Sequence, residues 1–587
     1  MRQFFKFLFA SFFGTVLVFI IGFFGMFIVF GALAAMGEEK VTVENHSILV
    51  PEFSKPITER RLKDPFSQFG VFGSSNQGLA LTTITKTLEH AKTDDKIKGM
   101  YLNLTGFGGG RSSLDVVKDA ILDFKTSNKP VYAYADYYTE STYYLAAAAD
   151  SIFMQPAGGM EFDGTMLEMM FFRGMFDKLD IEPRVFKHGD FKSAGEPFSE
   201  TAMSDSNRVQ MTELLTSVYD QYIKGLAGTT GKSEADLRSI ANELKIRTPE
   251  DAVTLGLVDR LIHHDEMLEI LARLTGEDDI EDIETINLNK YVTSIDDRLD
   301  PKGSKGRVAV VYAVGNIIMG KGDDQSIGSD RISEALRKAR LDEKVDAVVL
   351  RVNSGGGSAL ASDIILREME LIKKAGKPVV VSMGDVAASG GYYISCKADA
   401  IFAEPNTITG SIGVIGFMPG MQKFFENKLG ITFDRVKTGP YADLANPNRP
   451  LSEEEYNIVQ GSLDRIYEDF IGHVSKGRGM TTEEVDRLGR GRVWTGVQAL
   501  ENGLVDQMGG LNDAIAYAAS QAELEDYQLK ELPKPIDAFD EMMKELGGVK
   551  DNIIKSEIGE EQFKVMKQMQ WVKNFDEPML VLPYFIY

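Results

Sequence analysis

The sequence predicts an α/β protein made of two tandem homologous domains behind one N-terminal transmembrane helix. Three observations lead there. Strand and helix patterns alternate along most of the chain, the same order of patterns returns 247 to 249 residues later, and an uncharged apolar run opens the sequence. The organisation they imply is a cytoplasmic stub and transmembrane anchor at 1–37, a first α/β domain at 38–285, a linker at 286–306, a second α/β domain at 307–525 and a C-terminal extension at 526–587.

The opening run, Phe7 to Gly37, holds 31 residues without a charge. About 20 apolar residues already span a bilayer. Arg2 and Lys6 precede the run and Glu38 and Glu39 follow it, so the positive-inside rule puts the short N-terminus in the cytoplasm and the rest outside. A cleaved signal peptide is the alternative, with Ala32, Ala34 and Ala35 as the small residues of a cleavage site. The run is about twice the length of a usual signal-peptide core, which favours an uncleaved anchor.

A length of 587 residues and a hydrophobic content of 43% suffice for several cores. The net charge of −23 argues against a nucleic-acid partner, because phosphate binding needs clustered Lys and Arg. Cys396 is the single cysteine, and the six histidines have no zinc-ligand spacing. GTTGKS at Gly228 to Ser233 lacks the first glycine of a P-loop, and neither GxGxxG nor GxSxG occurs. No cofactor or metal is expected.

In chain order, HSILVPEF (His46 to Phe53) reads as a strand, Leu79 to Ala91 as a helix, Lys98 to Leu104 as a strand, Gly108 to Gly110 as a turn, Leu114 to Phe124 as a helix and Val131 to Ala135 as a strand. The order then repeats. Arg307 to Gly315 is a strand, Ile332 to Arg340 a helix, Asp346 to Val352 a strand, Gly355 to Gly357 the turn, Ala361 to Lys373 the helix, and Val379 onward a buried strand. DDKIKGMYLNL from Asp94 faces DEKVDAVVLRV from Asp342, and YYLAAAADSIFMQP from Tyr143 faces YYISCKADAIFAEP from Tyr392. One spacing held over several blocks marks an internal duplication. Asp526 to Tyr587 has no counterpart; it carries a helix pattern around Glu561 to Trp571 and ends in MLVLPYFIY, which could meet the body, another subunit or the membrane.

The two copies differ where chemistry would sit. Ser389 lies between the strand VVVSM and an apolar helix start, where it either caps the helix or serves as a nucleophile near free backbone N–H groups. Opposite Ser389-Gly390-Gly391, the first copy has Glu140-Ser141-Thr142, so the glycines are gone and Ser141 is displaced by one position. Conversely, Lys192 of the first copy faces Ala442 of the second. Each copy lacks what its sibling keeps, as expected of one composite site. A serine attacks when a base takes its proton, and a lysine serves if burial lowers its pKa from about 10.4. Asp190 and Glu196 oppose this unless they point away; otherwise Lys192 is a solvated surface residue. The N–H groups of Gly390 and Gly356 are the candidate donors for an oxyanion, although a glycine turn after a strand can also cradle phosphate. His188, the one histidine near these residues, reads as a packing or hydrogen-bonding residue.

SMGDVAASGGYYIS around Ser389, TITGSIGVIG (Thr407 to Gly416), GDFKSAGEPF around Lys192 and VNSGGGS (Val352 to Ser358) together resemble the signal peptide peptidase A (protease IV) family in its long duplicated form, within the ClpP/crotonase-like superfamily. That resemblance implies two tandem ClpP/crotonase-like domains and a serine endopeptidase with a Ser-Lys dyad, Ser389 as nucleophile and Lys192 as general base. It also implies that Ser411 orients the lysine and that Gly356 and Gly390 form the oxyanion hole. The family usually has a proline in the turn where this chain has Gly355. Signal peptides and other apolar peptides would be the substrates, the inner membrane of a bacterium the location, with catalytic domains on the periplasmic side, and a homotetramer the assembly. A thioester or acyl-CoA enzyme of the same superfamily and a non-catalytic membrane scaffold are the rival readings.

Overall fold

The computed structural model describes residues 6–7, 14–15, 17–18, 21–22, 41–60, 78–299, 306–444, 446–536 and 579–581. Most of the expected anchor at 7–37 lies outside them, and among the described residues no helix is long and apolar enough to cross a membrane. The helix expected around 561–571 is also outside them.

Alternating strands and helices produce two sheets, the first parallel throughout and the second parallel except at its edge, where Val493–Thr495 runs antiparallel to Ile408–Gly410. The first runs, in spatial order, Arg260–Leu261, Ser151–Met160, Val131–Tyr138, Ile97–Asn103, Ser47–Val50 and Thr285–Asn287. The second runs Val493–Thr495, Ile408–Gly410, Val379–Ala388, Ala347–Ser354, Gly306–Val314 and Tyr527–Leu532, with Ala400–Ala403 branching from the Val379–Ala388 strand. Its last strand lies just past residue 525, and Leu288–Leu299, within 286–306, forms a helix.

Residues repeated in the sequence do the same work in both sheets. Asp150 accepts from Val131 N and Asp399 from Val379 N, each at 2.8 Å, pinning the start of the third strand. Lys129 donates to the carbonyls of Ala91 and Asp94, and Lys377 to those of Ala339 and Asp342, closing the helix end before the second strand. Tyr143 OH bonds Leu257 O at 3.0 Å, and Tyr392 OH bonds Leu504 O at 2.9 Å. A buried aromatic hydroxyl needs such an acceptor, which explains why tyrosine rather than phenylalanine recurs.

A third sheet crosses between the copies. It runs Ser326–Gly328, Asn316–Ile318, Gly356–Ser358, Met579–Val581, Val414–Gly420 and Glu182–His188. Glu182–His188 of the first copy pairs antiparallel with Val414–Gly420 of the second over seven residues, from Val414 opposite His188 to Gly420 opposite Glu182. The apolar C-terminus, whose destination the sequence leaves open, places Met579–Val581 antiparallel against Gly356–Ser358.

Buried polar contacts fasten the two halves elsewhere. Asp385 accepts from Ser113 N at 2.8 Å and Ser113 Oγ at 2.7 Å, and Asp115 accepts from Asn406 Nδ2 at 2.7 Å. Glu59 accepts from Arg351 Nε at 2.8 Å and Asn353 Nδ2 at 2.7 Å. Arg351 in turn donates to Ser382 Oγ and the Met383 carbonyl, which ties the two strands that lead to the glycine turn and to Ser389.

Candidate active site

Three valines and flanking small residues bury the strand Val379–Ala388, which ends at Ser389 just before the short helix Gly390–Ser395. Ser389 has φ 56° and ψ −113°. Such a backbone costs a non-glycine residue on the order of 1–3 kcal/mol, so its surroundings must impose it. They do so through Ser389 N donating to Gly410 O at 2.8 Å and Tyr393 N donating to Ser389 O at 2.8 Å. The serine stands at the helix N-cap position, yet its side chain makes no capping bond. Of the two readings open in the sequence, capping is therefore the one that fails.

The glycines that follow are required by close approach. A Cβ on Gly390 would lie 2.9 Å from Ser362 Oγ and 3.1 Å from Gly356 Cα, and one on Gly391 would lie 2.6 Å from the Ser354 carbonyl oxygen. Ser141 and Thr142, in the first copy, could not bring two strand-end turns this near. At the position of Ser389 the first copy has Glu140, buried, with its carboxylate accepting from Gly164 N at 2.9 Å and Thr165 Oγ1 at 3.3 Å. Burial raises its pKa.

Lys192 arrives from the other half on the strand Glu182–His188, after a turn at Gly189. Its side chain is fully buried, with Nζ 2.8 Å from Ser389 Oγ, 3.0 Å from Ser411 Oγ and 3.3 Å from the Ser411 carbonyl oxygen. Burial alone holds its ammonium well below the ordinary lysine range. The two carboxylates that could oppose this face elsewhere. Glu196 accepts from Ser204 N, Ser204 Oγ and Asn207 Nδ2, and Asp190 lies 3.8 Å from Arg490 Nη1. With Nζ donating to Ser411, the amine lone pair can accept the Ser389 hydroxyl proton.

Ser411 follows Ile408–Gly410, a strand paired to the end of Val379–Ala388. Its φ of 50° turns Oγ toward Lys192, and its N–H donates to Arg492 O at 2.7 Å. Gly356, at φ 107°, lies against Gly390, so the two candidate oxyanion donors come from adjacent turns. In this state Gly356 N donates to Ser354 Oγ at 3.1 Å, while Ser354 Oγ donates to the Gly315 carbonyl. His188 packs as expected, stacked on Tyr467 at 4.0 Å with Nδ1 2.8 Å from Asp464.

Sequence reasoning missed the residues that hold the lysine loop. Gln210 Nε2 donates to Phe191 O at 3.0 Å and Ser193 Oγ at 2.9 Å, while its Oε1 accepts from Val493 N at 3.3 Å. Gly491 has φ 85°, and a Cβ there would lie 2.5 Å from Lys192 Cα and Cβ. Gly491→Ala is therefore expected to displace the lysine. A shift near 1 Å should lower kcat roughly 100-fold, measured by steady-state peptide cleavage beside a thermal unfolding curve that shows the fold retained.

The family model of Peptidase family S49 matches residues 123–277 and again 372–525. Protease 4 of Haemophilus influenzae is 38% identical over 438 residues, 73% of this chain and 71% of that protein. Chloroplastic serine protease SPPA of Arabidopsis thaliana is 32% identical over 480 residues, 80% of this chain and 70% of that protein. A putative signal peptide peptidase SppA of Enterococcus faecium is 36% identical over 267 residues, 44% of this chain and 77% of that protein. Among solved structures, a ClpP1 mutant from Listeria monocytogenes aligns with 35% of this chain and 94% of that chain, at 18% identity and a TM-score of 0.24. The repeated match and the length of chain shared with these relatives give the conclusion: the chain belongs to peptidase family S49 and is a serine protease.

Proposed function

We propose that Ser389 and Lys192 form a Ser-Lys dyad, and that the protein is a membrane-anchored endopeptidase that degrades cleaved signal peptides and other apolar peptides. In this reading 38–285 supplies the base, 307–525 supplies the nucleophile, 7–37 anchors a homotetramer to the inner membrane of a bacterium, and both α/β domains, of ClpP/crotonase-like type, face the periplasm. The observation that carries it is the 2.8 Å separation of Lys192 Nζ and Ser389 Oγ in a fully buried setting. The relatives' names, Protease 4 and putative signal peptide peptidase SppA, support the substrate class.

Neutral Lys192 takes the proton of Ser389 Oγ as the oxygen attacks the scissile carbonyl carbon. Charge gathers on the carbonyl oxygen, where the N–H groups of Gly390 and Gly356 would stabilise it, the latter exchanging its bond to Ser354. The lysine ammonium then gives its proton to the leaving amine, the C–N bond breaks and an acyl-enzyme remains. Water repeats the sequence and releases the acid. Ser411 holds Nζ in line by accepting its hydrogens. Gly356–Ser358 already takes an antiparallel segment at Met579–Val581, so an extended substrate would bind beside the glycine turn by displacing that segment and pairing in its place.

A fluorophosphonate probe tests the nucleophile directly. It should label the wild-type chain at Ser389, found by peptide mass mapping, and labelling should slow by at least 100-fold in Lys192→Met. Labelling at another serine, or undiminished labelling without the lysine, would sink the dyad.

A further inference from the structure

Among the described residues, a first-copy strand docks on a second-copy strand once, and the reciprocal partners of that docking are left open. Leu179, Asp180, Ile181, Lys187 and Gly189 face Leu429, Gly430, Ile431, Lys437 and Gly439, all 250 residues later. Local structure follows the match: Asp180 and Gly430 have φ of 56° and 66°, and Ile181 N bonds Phe176 O as Ile431 N bonds Phe425 O, both at 2.9 Å. Residues 432–438 are thus the second copy's version of the docking strand Glu182–His188. Equally, 165–171 is the first copy's version of the receiving strand Val414–Gly420, 249 residues earlier.

These counterparts live in opposite environments. Ile415 is fully buried, whereas its counterpart Met166 is 81% exposed. Phe186 is buried with its ring 4.8 Å from that of Tyr456, whereas its counterpart Val436 is fully exposed. Along 165–171 the residues alternate, with Met166, Glu168 and Met170 exposed and Thr165, Leu167, Met169 and Phe171 half-buried. That is the period of a strand lying on a core with one edge unused. Among the described residues, neither 165–171 nor 432–438 makes a backbone-to-backbone hydrogen bond.

We propose that 432–438 of one molecule adds antiparallel to 165–171 of a second copy of this chain, in the register that Glu182–His188 and Val414–Gly420 use internally. Transferring that register sets Leu167 opposite Val436, Glu168 opposite Arg435 and Met170 opposite Phe433. Of the seven pairs two are apolar and one is of opposite charge, combinations that stabilise cross-strand neighbours, while Met166 comes opposite Lys437 and Met169 opposite Asp434. The exposed Met166 and Val436 would be covered as Ile415 and Phe186 already are. Donor and receiver are different surfaces, so the contact is heterologous, and it must close into a ring or continue as a filament. Such a contact gives the homotetramer proposed above its interface and rests on that reading only for the number of subunits. It also places one site per chain, because the positions that meet at the new junction are Glu140 and Ala442, which offer neither a serine nor an amine.

Full-length chains carrying Leu167→Cys alone and Val436→Cys alone, mixed in equal amounts in detergent and oxidised, test the register. A disulfide between the two kinds of chain should exceed same-kind products at least 10-fold, and Glu168→Cys paired with Val436→Cys, one position off, should not reproduce it. Equal yields of mixed and same-kind products overturn the proposal. Light scattering of Val436→Asp supplies the second arm. Loss of the oligomer with Ser389 labelling retained supports the surface independently of the assigned chemistry, and an unchanged oligomer mass overturns it whatever the labelling does.

Discussion

Ser389→Ala is expected to lower the rate of peptide cleavage by about four orders of magnitude or more, the scale on which serine enzymes lose turnover when the attacking oxygen is removed. Binding should change far less. In the proposed dyad the lost hydroxyl contributes to the transition state, and the strand Gly356–Ser358, which would hold an extended peptide in place of Met579–Val581, keeps its backbone. Ser389 is fully buried and its Oγ meets Lys192 rather than a helix N–H, so alanine removes no cap. The strained backbone is retained, because its φ of 56° is fixed by main-chain bonds to Gly410 and Tyr393. Single-turnover kinetics with a quenched apolar peptide, beside a dissociation constant for the same peptide, separate the two effects. Comparable loss in binding and in rate would mean that Ser389 only shapes the groove.

Lys192→Met is expected to lose activity on the same scale while unfolding at the same or a higher temperature near neutral pH. The sign follows from burial. Lys192 is held well below the ordinary lysine range in the fold, while in the unfolded chain it titrates near pH 10.4. Between those two values the unfolded state binds one proton more, so wild-type stability rises with pH across the window and falls as pH drops through it. Methionine carries no such penalty and nearly fills the space. The stability difference between variant and wild type should therefore shrink as pH is raised toward 10, which melting curves at several pH values would show. The wild-type rate should reach half its plateau far below pH 10. A half-maximum in the ordinary lysine range would rule out a buried neutral base. Because the two groups act as a unit, the double variant should be little worse than either single one.

Much of this site was legible because the chain carries its own comparison. Setting Ser389-Gly390-Gly391 against Glu140-Ser141-Thr142, and Lys192 against Ala442, singled out the two residues now found 2.8 Å apart. Parallel strands and their helices were equally plain from alternation. What escaped was long-range contact. Gly491 matters because its missing Cβ makes room for a lysine that is nearly 300 residues earlier in the chain, and no local pattern encodes that. Gln210 reads as one more polar residue of a long helix until the Lys192 loop and Val493 are seen to converge on it. The buried Glu59 with Arg351 and Asn353 is similarly silent, since its partners lie on a sheet formed far downstream. For MLVLPYFIY the sequence offers apolarity and no address, and the backbone of Met579–Val581 supplies one beside the glycine turn.

The seven-residue pairing of Glu182–His188 with Val414–Gly420 has a kinetic meaning as well. Two free halves would have to find each other before Ser389 could meet Lys192, and dilution would separate them. Joined in one polypeptide, they meet at a local concentration set by the connecting segment, about millimolar for a short flexible tether, whatever the concentration of chains. Completion of the site is then unimolecular, and turnover per chain should be the same at nanomolar as at micromolar protein.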